Sequence, residues 1–404
     1  MKFRVKPIKN HYFYSTTQQL NNSTTQQLNN STTLNLSYWE IKSWLTNVDY
    51  TIVGSGIVGL NCALQLKKRF PKANILILEK GTLPQGASTK NAGFACFGSL
   101  SELVDDLKSH SEDEVFQLVK KRIDGLQLLR HTLGDDNINY QQLGGYELFS
   151  NLDDVLEQCK ARQNEINSFL KPLFNQNVFH FQSDIFGFKN CRNTLCVNQF
   201  EGQIDTGQMM MSLMQLVLNS GIKILNNSFV EEFSEDATSV KVKTNQFEFT
   251  TSKLLIATNG FASTLHISEV KPARAQVLIT KPINNLHVKG TFHLDHGYYY
   301  FRNIDNRILF GGGRNLDFKG EETTDLNQTE RIQNKLEELL KTTILPHTPF
   351  EIEHRWSGVM GVGQQKKPIV KQLSDSVFCG VRLGGMGIAI GSLVGKELAD
   401  LIPA

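Results

Sequence analysis

No apolar run in the 404-residue chain is long enough to span a bilayer. The N-terminus carries charge but lacks the apolar stretch of a secretory signal. Neither sign of charge dominates: 42 Lys and Arg stand against 40 Asp and Glu, a formal net charge of +2. Nothing in that balance calls for nucleic acid or an anionic membrane as a partner. Cysteine is sparse, with six residues at 62, 96, 159, 191, 196 and 379. Cys191 and Cys196 are the closest pair, and no second pair or nearby histidine cluster completes a zinc site. Thiols scattered through a chain this long point to a reducing cytoplasm. Methionine is absent between Met1 and Met209.

That gap bears on the first segment. "STTQQLNN" occurs at 15–22 and again at 23–30, followed by "STTLN". A perfect polar repeat cannot bury a core, so residues 1–35 are expected to be a disordered tail. The repeat reads as translated DNA ahead of a mis-assigned start, although a start near residue 36 would need a non-standard initiator codon. Order is expected to begin at "LSYWEIKSWLTNVDY". There Ser37 and Glu40 have capping-box spacing, and Tyr38, Ile41 and Leu45 share a helical face. Trp39 and Trp44 are expected to pack on a domain edge.

What is present is core-forming material, 40% hydrophobic residues, enough for two domains or one elaborate α/β domain. "DYTIVGSGIVGLNCALQLKKRF" opens with a short β-branched apolar run that reads as a buried parallel strand. Gly54, Gly56 and Gly59 follow with G-x-G-x-x-G spacing. The first glycine permits the tight turn, the second lets a phosphate approach the backbone, and the third lets the helix pack on the strand. A helix over 57–69 should stop before Pro71. "NILIL" is the second strand, and Glu79 stands at its end, where a carboxylate would bind a ribose. Strand, glycines, helix, strand and acid occur in order within about 30 residues, as the dinucleotide fingerprint requires. The acid argues against NADP. NAD and FAD both remain open on this segment alone.

"KGTLPQGASTKNAGFACFGS" follows, dominated by small residues, hydroxyls and glycines. Its backbone N–H groups and the Ser88, Thr89 and Asn91 side chains can approach a flat, polar ligand. Here the chain resembles the FAD-dependent amino acid and amine oxidoreductases, the D-amino-acid oxidase and glycine oxidase superfamily. Gly86, Ala87, Ser88, Asn91 and Gly93 match that family's "G-A-S-x-x-N-x-G" loop. The resemblance runs from about residue 46 to the end. It implies that Val230 holds adenine through its backbone, and that Ala257, Thr258 and Gly260 return the chain to the cofactor. It adds Ile57, Val58, Lys80 and Ala92 to the cofactor contacts. "VFCGVRLGGMGIAIGSLVGKELADLI" resembles the C-terminal flavin segment. A strand there enters a turn at Gly384, Gly385 and Gly387. The helix opening near Met386 and Ile388 presents its positive N-terminal end to the ring. Together these segments make FAD, bound non-covalently, the expected cofactor. Cys96 is read as a small buried residue rather than a flavin link.

The expected fold class is α/β: an FAD-binding Rossmann-type domain (glutathione-reductase-like) interleaved with a mixed-sheet substrate domain. The first would take residues 36–135, 197–268 and 352–404, and the second 136–196 and 269–351. The second is strand-rich, with "YELFS", "ARAQVLIT", "GYYYFR" and "RILFGGG", and "NIDN" at 303–306 as a hairpin turn. "SELVDDLKSHSEDEVFQLVKKRIDGLQLLRHTLG" reads as two helices with a capping box at Ser111 and Glu114. Another helix is expected at about 327–342.

The resemblance implies hydride transfer from a carbon bearing an amine to flavin N5, followed by hydrolysis of the imine. In that family a side-chain base is often unnecessary, and none is assigned at this level. "GYYYFR" is the best candidate substrate wall, with Tyr298, Tyr300 and Arg302 on one strand face. Arg302 is the first candidate for gripping a substrate carboxylate, Arg314 is a second, and Arg382 is expected to support the flavin turn. Amino acid oxidases often carry an arginine just after a "W-x-G" strand, where "HRWSGVMGVG" has Met360. That departure resembles the amine-oxidising branch typified by γ-glutamylputrescine oxidoreductase. The expected partner is a small amine or amino acid, with the electron acceptor left open among oxygen, a quinone or a protein. Two other readings are an NAD-linked dehydrogenase and a non-catalytic flavin-binding protein.

Overall fold

The computed structural model describes residues 34–403. The expectation for the repeat tail therefore lies outside the described residues for 1–33. It has a direct test: a chain beginning near Asn35 with an added methionine should keep its melting temperature. A lower one would show that the repeat packs on the fold.

The first sheet is built on the strand Val48–Val53, which pairs in parallel with Ile75–Leu78 on one side and Glu248–Ile256 on the other. Lys223–Leu225 extends one edge in parallel, and Val377–Val381 and then Ile369–Gln372 extend the other. All four residues of Ile75–Leu78 are buried, because helices cover Ile75 and Ile77 on one face and the strands Val230–Glu235 and Val240–Thr244 contribute to the core around Leu76 and Leu78 on the other. The helix Ile57–Arg69 packs on Gly387–Asp400, and Gly391 and Gly395 allow the close approach: an added Cβ would lie 2.5 Å from Ile57 Cγ2 at one and 2.5 Å from the Val58 carbonyl at the other. The chain leaves Val48–Val53 in both directions across the sheet. That makes its C-terminal end a topological switch point, where α/β sheets bind ligands.

The second sheet has the order Ile352–Val362, Lys271–Thr280, Arg307–Gly312, Tyr299–Ile304, Thr291–Leu294, Gly145–Ser150, Cys191–Asn198, Phe179–Gln182. Only Thr291–Leu294 with Gly145–Ser150 is parallel. The hairpin turn falls at Asp305 and Asn306, whose φ values of 48° and 58° suit a type I′ connection. One sheet face buries Phe292, Phe301 and Phe310 beneath the helix Glu330–Leu339. The Phe292 and Phe301 rings stack 4.6 Å apart. The other face, carrying Tyr300 and Trp356, looks toward the first unit and meets Ala92 and Phe94.

Two features differ from the sequence pattern. Ile352–Val362 pairs along the whole of Lys271–Thr280, so the second sheet takes residues assigned above to the flavin unit. The chain rejoins the first sheet at Ile369. An unanticipated 20-residue helix, Val155–Phe174, lies in the segment read as strand-rich. Leu156, Cys159, Ile166 and Leu170 form its buried face. Buried Asn167 accepts hydrogen bonds from the N–H groups of Val178 and Phe179, tying the helix to the next strand. Both capping boxes at Ser37/Glu40 and Ser111/Glu114 are formed. Trp39 remains 69% exposed rather than packed on an edge.

Candidate functional site

The glycine turn is sterically obligatory. Gly54 has φ +105°, and an added Cβ would lie 2.9 Å from the Ala257 carbonyl oxygen. A Cβ at Gly59 would lie 1.9 Å from the Gly54 carbonyl oxygen, so glycine there lets the helix seat on its strand. At the helix N-terminus the Ile57 N–H donates to Ser88 Oγ at 2.9 Å. The Ser88 hydroxyl thus stands where the free N–H groups and positive end of the helix favour an anion.

Glu79 is 5% exposed and held by donors alone. Its Oε2 accepts from the Ser55 N–H at 3.1 Å and the Ser55 hydroxyl at 2.8 Å, and its Oε1 accepts from the Gly81 N–H at 3.0 Å. The Gln85 N–H adds a long contact to Oε1 at 3.4 Å, the weakest of four donors on a carboxylate with about four acceptor positions, and so the one a ligand hydroxyl would displace. Lys80 lies beside it with Nζ 3.2 Å from the Phe261 ring centroid. Burial pushes the Lys80 pKa down against the pull of Glu79.

A cavity of about 650 Å³ is lined by Glu79, Val230, Ser88, Gly260, Met386 and Tyr300 among others. The adjoining turn is locked by Asn259, a residue the sequence pattern passed over. Its Oδ1 accepts from the N–H groups of Arg382 and Leu383, both at 3.1 Å. Gly361 and Gly260 make room for this arrangement: a Cβ at Gly361 would meet Asn259 Oδ1 at 2.6 Å, and one at Gly260 would meet the Met360 carbonyl at 2.6 Å. Arg382 donates twice to the Lys367 carbonyl, on the outside of the turn. The helix Gly387–Asp400 starts here with Met386 as its N-cap, and Met386, Gly387 and Ile388 line the cavity with Gly384 and Gly385.

Asn91 shapes the loop opposite. Its Nδ2 donates to the Ala87 and Ser88 carbonyls, while its Oδ1 accepts from the Gly93 N–H and the Thr206 hydroxyl. Of the expected cofactor residues, Gly56, Ile57, Val58, Lys80, Asn91, Ala92, Ala257 and Thr258 all reach the cavity wall. Gly59, Thr89 and Gly93 do not. Thr89 turns its hydroxyl to the Pro84 carbonyl. Gly93, at φ +74°, is pressed against the Ile204 carbonyl and the Arg302 guanidinium.

The expected substrate wall divides. Tyr300 lines the cavity, with its ring edge-on to Phe94 at 5.7 Å. Burial pushes its pKa up to about 12, so the phenol stays neutral. Tyr298 precedes the strand, lines the cavity and meets Phe318. Arg314 also lines it, 4.8 Å over the Phe318 ring. Arg302 shares the Tyr300 face but does not line the cavity, because the segment at Gly93 and Phe94 covers that part of the sheet. It is 2% exposed, its Nε has no hydrogen-bond partner among the described residues, and burial pushes its pKa down to about 10.

The end of the cavity beyond Phe94 is polar, contributed by Cys96, Glu102, Arg122, His293, His296 and Lys366. Ser99 and Glu102 form a capping box that the sequence reading did not single out, and no local pattern marked His293. Cys96, His293 and buried Glu201 bring their sulfur, nitrogen and oxygen atoms within 4.8 Å of one another.

A glycine turn at a helix N-terminus, a buried acid just past the end of the next strand and one cavity that joins them to Phe94 and Tyr300 fit a dinucleotide such as FAD. Residues 49–401 match the family model described as FAD dependent oxidoreductase (DAO), and the chain belongs to that family. FAD is therefore the cofactor, and the protein is an enzyme. The chain is 20% identical over 385 residues to the probable oxidoreductase OrdL of Haemophilus influenzae, covering 89% of this chain and 83% of that one. It is 23% identical over 374 residues to gamma-glutamylputrescine oxidoreductase of Escherichia coli, covering 88% and 83%. Among solved structures it is similar to glycine oxidase from Geobacillus kaustophilus, with TM-score 0.70, 18% identity and coverage of 87% and 94%. L-proline dehydrogenase from P. horikoshii gives TM-score 0.66, 18% identity and coverage of 88% and 93%. Among the described residues no helix is long and apolar enough to cross a membrane.

Proposed function

We propose that the protein oxidises a C–N bond of a small amine or amino acid, whose imine product is then hydrolysed. The observation that carries this reading is the single cavity that joins the dinucleotide cradle to a compartment walled by Phe94 and Tyr300. The bound FAD, held non-covalently, supplies hydride acceptance at N5. Ser88, Glu79 and the helix starting at Gly387 hold and polarise it. The aromatic walls orient the substrate and exclude water. The relatives named for glycine, L-proline and gamma-glutamylputrescine have in common a substrate carbon bearing nitrogen. Family membership sets aside the NAD-linked alternative.

The test is anaerobic mixing with glycine, L-proline, iminodiacetate, putrescine and γ-glutamylputrescine, followed by flavin absorbance. Bleaching by at least one is expected, and a flavin untouched by all of them would overturn the reading. Denaturation should release FAD into the supernatant; flavin remaining with the precipitate would show a covalent link.

Arg302, behind Gly93 rather than in the wall, is assigned to supporting the flavin-side loop. Arg302→Lys should then slow flavin reduction by acid and amine substrates alike. A loss confined to the acid would place its guanidinium on the substrate.

A further inference from the structure

At the polar end of the cavity the lining imidazole of His293 is paired with the buried carboxylate of Glu201, which lies outside the lining, and cofactor binding does not explain the pair. His293 lies on the strand Thr291–Leu294, in register with Tyr300 on one side and Glu147 on the other. It is 6% exposed, lines the cavity and stands edge-on to Phe94 at 5.3 Å. Its Nε2 is 3.7 Å from Glu201 Oε2, within ion-pair range but too far for a direct hydrogen bond. No hydrogen-bond partner meets that nitrogen among the described residues.

The fold makes room for this carboxylate. Glu201 is 1% exposed, and its Oε1 accepts from the Phe97 N–H at 3.1 Å. Gly145 clears space for Oε2, since an added Cβ there would lie 2.0 Å from it. Burying an acid costs several kcal/mol unless it is compensated, so its position beside the imidazole is the informative feature.

We infer that His293 accepts the proton that an amine substrate must shed before its carbon can give up hydride, with Glu201 as the positioning residue that orients and charges it. This rests on the amine or amino acid reaction proposed above. The step is a proton transfer: a substrate N–H bond breaks, an imidazole N–H bond forms, and the freed lone pair stays on the substrate nitrogen. No oxidant is consumed in it.

The electrostatics suit the task. Amines are mostly ammonium at neutral pH, with pKa values of roughly 8–10, whereas an ordinary imidazole near 6.5 is a weak acceptor for their proton. Burial works against the His293 imidazolium, but the Cys96 sulfur and the Glu201 carboxylate favour it and prevail, so its pKa lies well above the ordinary value. Donor and acceptor are thereby better matched. Burial raises the pKa of Cys96 itself, which leaves it a thiol. Glu102 and Glu147 also face the imidazole, and Arg122 and Lys366 face Glu102. Burial raises the Glu147 pKa while its oxygens accept from the Ser101 N–H and hydroxyl.

The sign of the pH dependence follows. The acceptor is the neutral imidazole, so flavin reduction per substrate encountered should rise with pH through the elevated His293 pKa. Glu201→Gln keeps an acceptor for the Phe97 N–H and removes the charge, so it should move that limb down by a pH unit or more. His293→Asn should abolish the limb and slow reduction by roughly a hundredfold to ten-thousandfold, the usual range for a positioned base. The substrate's own ionisation should stay fixed in every variant.

The experiment is anaerobic stopped-flow reduction of the holoenzyme across pH with whichever of glycine, L-proline, iminodiacetate, putrescine or γ-glutamylputrescine bleaches it. A companion NMR titration of the histidine Cε1–H groups uses substrate-free holoenzyme. One histidine should titrate above the ordinary range and move down in Glu201→Gln, a readout independent of turnover that also stands if His293→Asn fails to fold. Reduction with an unmoved limb, or no histidine midpoint sensitive to Glu201→Gln, overturns the proton acceptor alone. Failure of every substrate at every pH overturns the reaction and the acceptor together.

Discussion

Gly59→Ala is expected to weaken FAD binding by roughly tenfold to a hundredfold and to lower the melting temperature. The methyl group would sit 1.9 Å from the Gly54 carbonyl oxygen, which belongs to backbone rather than to a side chain that can turn aside. Either the helix Ile57–Arg69 lifts from its strand or the Gly54 turn moves. Gly54 is itself confined, with φ +105° and the Ala257 carbonyl against it. Forcing an extra carbon into a closed site costs about 1–3 kcal/mol, and each 1.4 kcal/mol placed on the cradle is tenfold in affinity. Gly59 does not line the cavity, so the loss would come from geometry and not from a missing contact. Isothermal titration of the apoprotein with FAD and a thermal melt measure both effects. Unchanged values for both would show that the helix is free to shift.

Glu79→Ala should weaken FAD binding by about 1–3 kcal/mol, the cost of leaving buried polar partners unmet. The Ser55 N–H and hydroxyl and the Gly81 N–H all donate to this carboxylate, so the turn loses its internal brace as well as the acceptor expected to meet the ribose. Glu79→Gln separates the two contributions. Its amide oxygen can accept for either Ser55 or Gly81, and its NH₂ group meets donors on the other side. An Ala variant with unchanged FAD affinity would remove Glu79 from the ribose site. An affinity loss in Gln as large as that in Ala would assign most of the effect to the brace, whose donors the NH₂ group cannot accept.

Local patterns were legible where the chemistry is local. The glycine spacing, the helix 57–69 and the two capping boxes each depend on residues a few positions apart, and each forms. So does the hairpin at Asp305 and Asn306, where both residues tolerate positive φ. The helix Val155–Phe174 carried a periodic apolar face but lies between strands, and strand-rich surroundings hid it. Ile352–Val362 reads equally well as a strand of either sheet, and only its pairing with Lys271–Thr280 assigns it.

The site followed the same division. Alternation along a strand correctly put Tyr300 and Arg302 on one face. It could not show that the Gly93–Phe94 segment covers the Arg302 end and leaves Tyr300 bare. Asn259 was passed over because its work is to hold the backbone of Arg382 and Leu383, far along the chain. His293 and Glu201 are unremarkable in their own neighbourhoods.

By itself the sequence determined that the chain carries an α/β dinucleotide cradle, where it lies, and that a resident flavin was expected, because turn sterics and helix ends are short-range and leave fixed spacings. The tertiary structure decided which side chains reach the cavity and which are covered. It also decided that a carboxylate from the loop after one strand meets an imidazole from another sheet strand. Those outcomes depend on how two sheets face each other across loops, and burial, charge pairing and access arise only once distant segments are packed together.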